Sequence, residues 1–238
     1  MLELRELVKH YLLGDGEPIR AVDGVSMRIA RGEFVALYGP SGSGKTTLLE
    51  LIAGLLAPDR GSVLVEGRDV VAMSRSEVNE YRLRDLGIVG HGLTPGWRAS
   101  QSASLKLMLS NVRSAPRKIE PLLGRLGLGD RLHHRTEQLS MGERQRVLIA
   151  LALSTDPKLV LADEPTGNLD TQLTREVLGL LRDLCREREM ALLLATHDPQ
   201  VATFADRVYE LRDGRLQTYT QDRGSVASAS RSPEPGLW

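Results

Sequence analysis

The sequence predicts an α/β architecture built on a mainly parallel sheet. Three observations carry that expectation. Short, continuously apolar runs fit strands buried on both faces, helical stretches alternate with them, and glycine- or proline-bearing breaks separate the two.

The opening reads as strands, with Leu2, Leu4 and Leu7 interleaved with charge and Ala21 to Ala30 alternating apolar and polar residues. Gly14 to Pro18 between them is turn chemistry. Phe34 to Tyr38 is a buried-strand run that leads straight into a glycine-rich loop, and Thr46 to Leu56 has helical composition. Pro58, Asp59 and Gly61 break the chain before Ser62 to Glu66 resumes as a strand. Leu159 to Ala162 and Ala191 to Ala195 are further buried-strand candidates. Helices are expected over Gly142 to Ser154 and Thr171 to Arg188. From about His91 to Arg135 there are no such strand runs, and helical patches at Ser104 to Val112 and Lys118 to Leu126 suggest an inserted helical subdomain. Gln221 to Trp238 is polar and turn-rich and reads as a disordered tail.

The chain has 238 residues, of which 41% are hydrophobic and 26% charged, so it has enough apolar material for a substantial core. Lysine plus arginine and aspartate plus glutamate each total 31, and the zero formal charge gives no general pull toward nucleic acid. Aromatic residues make up only 4%, which argues against a stacking platform for single strands. The single cysteine, Cys185, excludes an internal disulfide and a cysteine metal cluster, and its helical setting suggests packing. The longest apolar runs, Val147 to Leu153 and Ala191 to Ala195, fall far short of the roughly 20 residues of a membrane-spanning helix. The charged N-terminus does not read as a signal peptide, so a soluble chain of intracellular type is expected.

Gly39-Pro40-Ser41-Gly42-Ser43-Gly44-Lys45-Thr46, followed by Thr47, fits the pattern of a phosphate cradle set between a strand and a helix. Its glycines let backbone N–H groups curl toward a phosphate, and the helix that follows adds its positive end. Lys45 is placed to reach the β- and γ-phosphates, and the Thr46 hydroxyl to ligate Mg²⁺. Open α/β sheets bind ligands at the carboxyl ends of their strands. Asp163 and Glu164 stand at such an end, the first suited to the metal's hydration shell and the second to taking a proton from an attacking water. His197, after the run Ala191 to Thr196, is placed to bond a γ-phosphate or orient that water. Ser140-Met141-Gly142-Glu143 reads as a capping box opening a helix, and Ser140 and Gly142 there could face a second anion. One cradle per chain makes a two-fold dimer the simplest arrangement, each capped helix facing the other chain's nucleotide. A plain structural cap is the competing reading. His133 and His134 lack ligand partners at metal spacing.

These residues resemble the ATP-binding subunits of ABC transporters from about Leu2 to Leu216. GPSGSGKTT is similar to the Walker A loop, LSMGERQR to the signature motif, LVLADEPTGNLD to Walker B with the D-loop, and ATHD to the switch-histidine region. The resemblance implies a P-loop NTPase (RecA-like) fold: a mainly parallel sheet, an antiparallel β subdomain and a helical subdomain inserted at about 91–138, all within one domain over 1–220. It implies ATP and Mg²⁺ as cofactors, Glu164 as catalytic base, Tyr11 stacked on adenine, and Asp170 communicating between two sites. GDGEPIRAVDGVS, the GERQR ending and ADEPTGNLD look most like the lipoprotein-releasing and macrolide-exporter branch. The implied partners are an integral-membrane permease and a second cassette, as homodimer or heterodimer. The implied location is the cytoplasmic face of the cell membrane, and no nucleic-acid partner is implied.

Two departures stand out. Gly87-Ile88-Val89-Gly90-His91 occupies the place where the family carries a Mg²⁺-ligating glutamine, so His91 becomes a metal-ligand candidate of poorer chemistry, because Mg²⁺ prefers oxygen. Met141 replaces the first of two signature glycines and adds bulk beside the expected phosphate. The leading expectation is a motor ATPase that closes as a dimer on ATP. The alternative is a regulatory or signalling subunit with weak or no hydrolysis.

Overall fold

A computed structural model describes residues 1–12, 18–90, 96–111, 115–167 and 169–218. Two sheets organise it. Strands β1 (Leu2–Tyr11), β2 (Ile19–Ile29), β4 (Arg60–Val65) and β5 (Arg68–Asp69) form an antiparallel sheet in the order β2-β1-β4-β5. Strands β3 (Phe34–Tyr38), β6 (Leu86–Val89), β7 (Leu159–Asp163), β8 (Ala191–Thr196), β9 (Arg207–Arg212) and β10 (Arg215–Thr218) form the second, in the order β10-β9-β3-β8-β7-β6. Every pairing in it is parallel except β10 with β9.

The apolar runs are explained by burial on both faces of this second sheet. Successive strand side chains point to opposite sides. Phe34, Val160, Ala162, Leu192 and Leu194 enter one core with α6 (Met141–Leu153) and α7 (Thr171–Glu187). Val35, Leu37, Leu159, Leu161, Leu193 and Ala195 enter another, with α1 (Lys45–Ile52) and the inner face of the antiparallel sheet. With apolar neighbours above and below, no alternation remains to be seen in the sequence. Cys185 lies in the first core and its thiol donates to the Met190 carbonyl oxygen at 2.6 Å. Burial pushes that thiol up to about 12.

Between β6 and α6 the chain forms α3 (Ala99–Ala103), α4 (Leu105–Leu109) and α5 (Ala115–Arg125). Backbone bonds from Ala99 N to His134 O at 3.0 Å and from Thr136 N to Trp97 O at 2.9 Å close this segment on itself. The Lys106 ammonium donates to the Leu86 carbonyl and so ties α4 to β6, and burial lowers its pKa to about 8.

Several boundaries differ from the sequence reading. The first helix ends at Ile52, before the expected Leu56, because Gly54 follows with a positive φ of 63°. Of the expected patch Ser104 to Val112 only Leu105–Leu109 is helical, as α4, and Val112 lies outside the described residues; the patch Lys118 to Leu126 falls on α5, which starts earlier, at Ala115, and ends at Arg125. Strand β6, α2 (Arg75–Arg84), α8 (Pro199–Ala202) and the β9–β10 hairpin were not expected from the runs. The Gln221 to Trp238 segment lies outside the described residues. Among the described residues, no helix is long and apolar enough to cross a membrane.

Leu194 is fully buried in β8 on the α6–α7 side. Leu194→Ala should cost about 2–5 kcal/mol in urea unfolding. A loss under about 1 kcal/mol would mean that this face is not packed as described.

Candidate functional site

The phosphate loop joins β3 to α1 at the carboxyl end of the parallel sheet. Its shape is enforced from behind. A Cβ added at Gly39 would sit 2.3 Å from the Leu211 carbonyl oxygen, and one at Gly44 would sit 1.9 Å from that of Ala21. Gly44 also holds φ at +102°, where side chains are disfavoured. The Gly39 N–H bonds to the Thr196 carbonyl at 3.2 Å, and the Gly214 N–H bonds to the Ser43 carbonyl at 3.3 Å. The loop is thus pressed against β2, β8 and the β9–β10 hairpin, while a Cβ at Gly42 would meet open space. Lys45 is buried, and its ammonium donates to the carbonyls of Gly39 at 2.7 Å and Pro40 at 2.9 Å. The buried Ser43 hydroxyl has no hydrogen-bond partner among the described residues, which is unusual enough to mark unmet capacity within the loop.

Across from the loop lies the tip of β7. The Thr46 hydroxyl donates to Asp163 Oδ2 at 2.7 Å, joining residues 117 apart in the chain. An all-oxygen pair of this kind suits a hard cation such as Mg²⁺. Glu164, the next residue, leaves the strand with φ at +47°, and its N–H bonds to the Ala195 carbonyl at 3.0 Å. Glu164 Oε1 accepts the His197 N–H at 2.9 Å and lies 2.7 Å from its ring Nδ1. Glu164 Oε2 accepts from the Thr196 hydroxyl at 3.3 Å.

Ser41, Gly42, Gly44, Lys45, Thr46, Thr47, Asp163, Glu164 and Tyr11 are among the residues lining an open cleft of about 690 Å³, whereas His197 and Thr196 line a second cavity that Glu164 borders as well. Tyr11 lies at the β1–β2 end of the cleft with Ile19, and the Lys9 ammonium sits 5.8 Å from the Tyr11 ring centre. Asp213 and Gly214 also line it. The sequence reading missed them, although Asp213-Gly214 is by itself a hairpin-turn signal.

Ser140, Gly142 and Asp170 do not line this cleft. Ser140 caps α6, accepting the Glu143 N–H at 3.2 Å while Glu143 accepts the Ser140 N–H at 2.8 Å, the reciprocal pattern the spacing predicted. A Cβ on Gly142 would meet the Leu173 side chain at 2.9 Å and that of Leu169 at 3.3 Å, so this glycine has a packing role against the start of α7. Met141 is 62% exposed. Asp170 caps α7, with Oδ1 accepting the Leu173 N–H at 2.9 Å. His91 lies outside the described residues.

A strand–loop–helix phosphate cradle facing two strand-end carboxylates defines a nucleotide-binding P-loop domain. A family model described as ABC transporter matches residues 22–167, well over half the chain. A lipoprotein-releasing system ATP-binding protein LolD of Anaeromyxobacter dehalogenans is 44% identical over 90% of this chain and 92% of its own. A macrolide export ATP-binding/permease protein MacB of Rhodopirellula baltica is 42% identical over 97% of this chain but only 34% of its own. The dimeric structure of MJ0796, a bacterial ABC transporter cassette, aligns with a TM-score of 0.84 at 33% identity, covering 92% of this chain and 98% of that one. A second structure of MJ0796 is a post-hydrolysis state bound to ADP and Pi. The chain therefore belongs to the ABC transporter family, as its ATP-binding cassette, and it is an ATPase of the kind that powers membrane transport.

Two predictions follow from this geometry. Gly44→Ala forces the Ala21 carbonyl to move and should weaken ATP binding by about tenfold or more in calorimetric titration, whereas Gly42→Ala carries only the backbone cost. Equal losses in the two variants would remove the role given to the support behind the loop. The hydrogen bonds to Glu143 from Arg131 and from Ser140 hold its carboxyl at about 2, against an ordinary value of 4.5. The lowered pKa means that its contribution is complete above about pH 4.5 and is lost as the pH falls toward 2. Glu143→Gln should therefore cost on the order of 0.5 kcal/mol near neutrality, fading over that acidic range in thermal unfolding. A cost independent of pH would contradict it.

Proposed function

We propose that this chain is one of two cassettes that close on ATP and drive a permease of the lipoprotein-releasing or macrolide-exporting kind. Support for the branch comes from the identity to LolD and MacB proteins over nine-tenths or more of the chain. The proposed cassette is a single unit over 1–220, with its helical part inserted between β6 and α6. It works at the inner face of the membrane, held there by the permease. We take the second cassette to be another copy of the chain; MJ0796, at 33% identity, was solved as a dimer.

The roles proposed for Gly39 to Thr47, Tyr11, Asp163, Glu164 and His197 are supported by the geometry around the cleft, and those of Ser140, Gly142, Asp170 and His91 by the family resemblance alone. Gly39 to Thr47 cradle the triphosphate, with Lys45 exchanging its two loop carbonyls for phosphate oxygens. Thr46 and Asp163 would hold Mg²⁺, and the ion would supply charge neutralisation on the phosphates. Tyr11 faces the base. Glu164 takes the proton of the attacking water as the bond from the γ-phosphorus to the bridging oxygen breaks and inorganic phosphate leaves. His197 holds Glu164 and is placed to meet the γ-phosphate. Ser140 and Gly142 face the partner's nucleotide, and Asp170 links the two sites. His91 remains the metal-ligand candidate in the glutamine's place.

The single observation that carries the hydrolytic reading is the Glu164 carboxylate, fixed by His197 and Thr196 beside the Thr46–Asp163 pair in one cleft. No observation favours a non-hydrolysing, regulatory subunit. Glu164→Gln should lower ATP turnover by about 10²–10⁴, the usual worth of a general base, while ATP binding persists. With ATP present, this variant should sediment as a dimer. Turnover within about threefold of wild type would overturn the assignment of the base.

A further inference from the structure

We infer that Thr196 is a positioning residue for hydrolysis, holding the Glu164 oxygen that receives the proton of the attacking water. The inference rests on the reading of Glu164 as the base.

The two oxygens of this carboxylate are not equivalent. Oε1 is occupied twice, by the His197 backbone N–H at 2.9 Å and by the His197 ring Nδ1 at 2.7 Å. An oxygen so engaged has little capacity left for a water. Among the described residues, Oε2 has one hydrogen-bond partner, the Thr196 hydroxyl at 3.3 Å, and so retains a lone pair for the proton. Proton transfer falls to Oε2, and Thr196 is what fixes that oxygen's place.

The threonine is itself held. It is the last residue of β8 and is 1% exposed. That hydroxyl accepts the Asp198 N–H at 3.0 Å. With the acceptor side used in this way, its own proton is free to donate, and Glu164 Oε2 is the acceptor within reach. Its backbone carbonyl accepts from Gly39 N–H at 3.2 Å, so the same residue braces the first glycine of the phosphate loop. One buried residue therefore relates the base to the loop that holds the phosphate. The Thr196 bond occupies one lone pair of Oε2 and leaves the second to receive the proton.

The test is Thr196→Val, close to threonine in shape but lacking the hydroxyl, with Thr196→Ser and Thr196→Cys beside it. In steady-state ATPase assays, Thr196→Val should lower kcat by about tenfold with KM for ATP and equilibrium ATP binding within about twofold of wild type. Thr196→Ser should recover at least about a third of the lost turnover, and Thr196→Cys, a weak donor, should fall between the two. In single-turnover assays on a Glu164→Gln background, Thr196→Val should cause no further loss, since a residue acting only through Glu164 has nothing left to position. The inference is overturned if Thr196→Val or, should valine not fold, Thr196→Cys turns over at the wild-type rate. It is also overturned if KM moves in place of kcat, or if the loss recurs in full on the Glu164→Gln background. These failures are separable from failure of the base assignment, which would appear as unimpaired turnover in Glu164→Gln alone.

Discussion

The site depends on a backbone approach so close that no side chain fits between. Gly39 and Gly44 bring the phosphate loop against the carbonyl oxygens of Leu211 and Ala21 at distances where a Cβ would overlap them. A loop free in solution would sample many shapes, and ordering it on binding would cost roughly 1–2 kcal/mol for each residue fixed. Here that cost is met during folding, because three strands of two sheets hold the loop before any ligand arrives. The Lys45 contacts with Gly39 and Pro40 belong to the same economy, keeping a buried ammonium partnered by carbonyl oxygens. In the proposed role of Lys45, exchange of those oxygens for phosphate oxygens would leave the charge paired throughout.

The second constraint is the strand tip that carries two carboxylates. In a regular strand, consecutive side chains point to opposite faces, and Asp163 and Glu164 could not both serve one cleft. The strand ends at Asp163, and Glu164 turns into the left-handed region at φ +47°, an uncommon conformation for a side-chain-bearing residue. Its N–H remains bonded to Ala195 and fixes the turn. The strain places one acid beside Thr46 and the other beside His197 and Thr196. Neighbours in sequence thus acquire different surroundings.

Much of this was legible in the chain and some was not, for identifiable reasons. Strands β3, β7 and β8 announce themselves because both faces are buried, which requires unbroken apolar runs. The capping box at Ser140 and Glu143 is local chemistry and needs no tertiary information. The β9–β10 hairpin was missed because Arg207 to Arg212 interleaves apolar residues with charges, Arg207 among them pairing with Glu33 and Glu210 with Arg212. Strand β6 was missed as a run because Gly87 interrupts it. Yet a Cβ there would strike the Ala152 carbonyl oxygen at 2.5 Å, so the interruption is itself a packing requirement. The packing of Gly142 against Leu169 and Leu173 could not be read either, since it joins α6 to a segment about thirty residues away.

That last contact bears on why the signature segment stands apart from the cleft of its own chain. The capping box satisfies the N–H groups of Ser140 and Glu143. The first helical amides, of Met141 and Gly142, lie where an α-helix offers no internal acceptor. Gly142 presses against the start of α7, which orients the helix end, and Met141 stands exposed beside it. Neither lines the cleft that holds Lys45 and Glu164. On the proposed roles, a chain with its cradle in one place and the start of α6 in another would carry two halves of an anion site apart from each other. A two-fold pairing would join each half to its complement on the other chain, and Met141 would then sit in the contact. Its side chain is flexible and polarisable, and there it could adapt to a facing surface where a branched residue would have to be displaced.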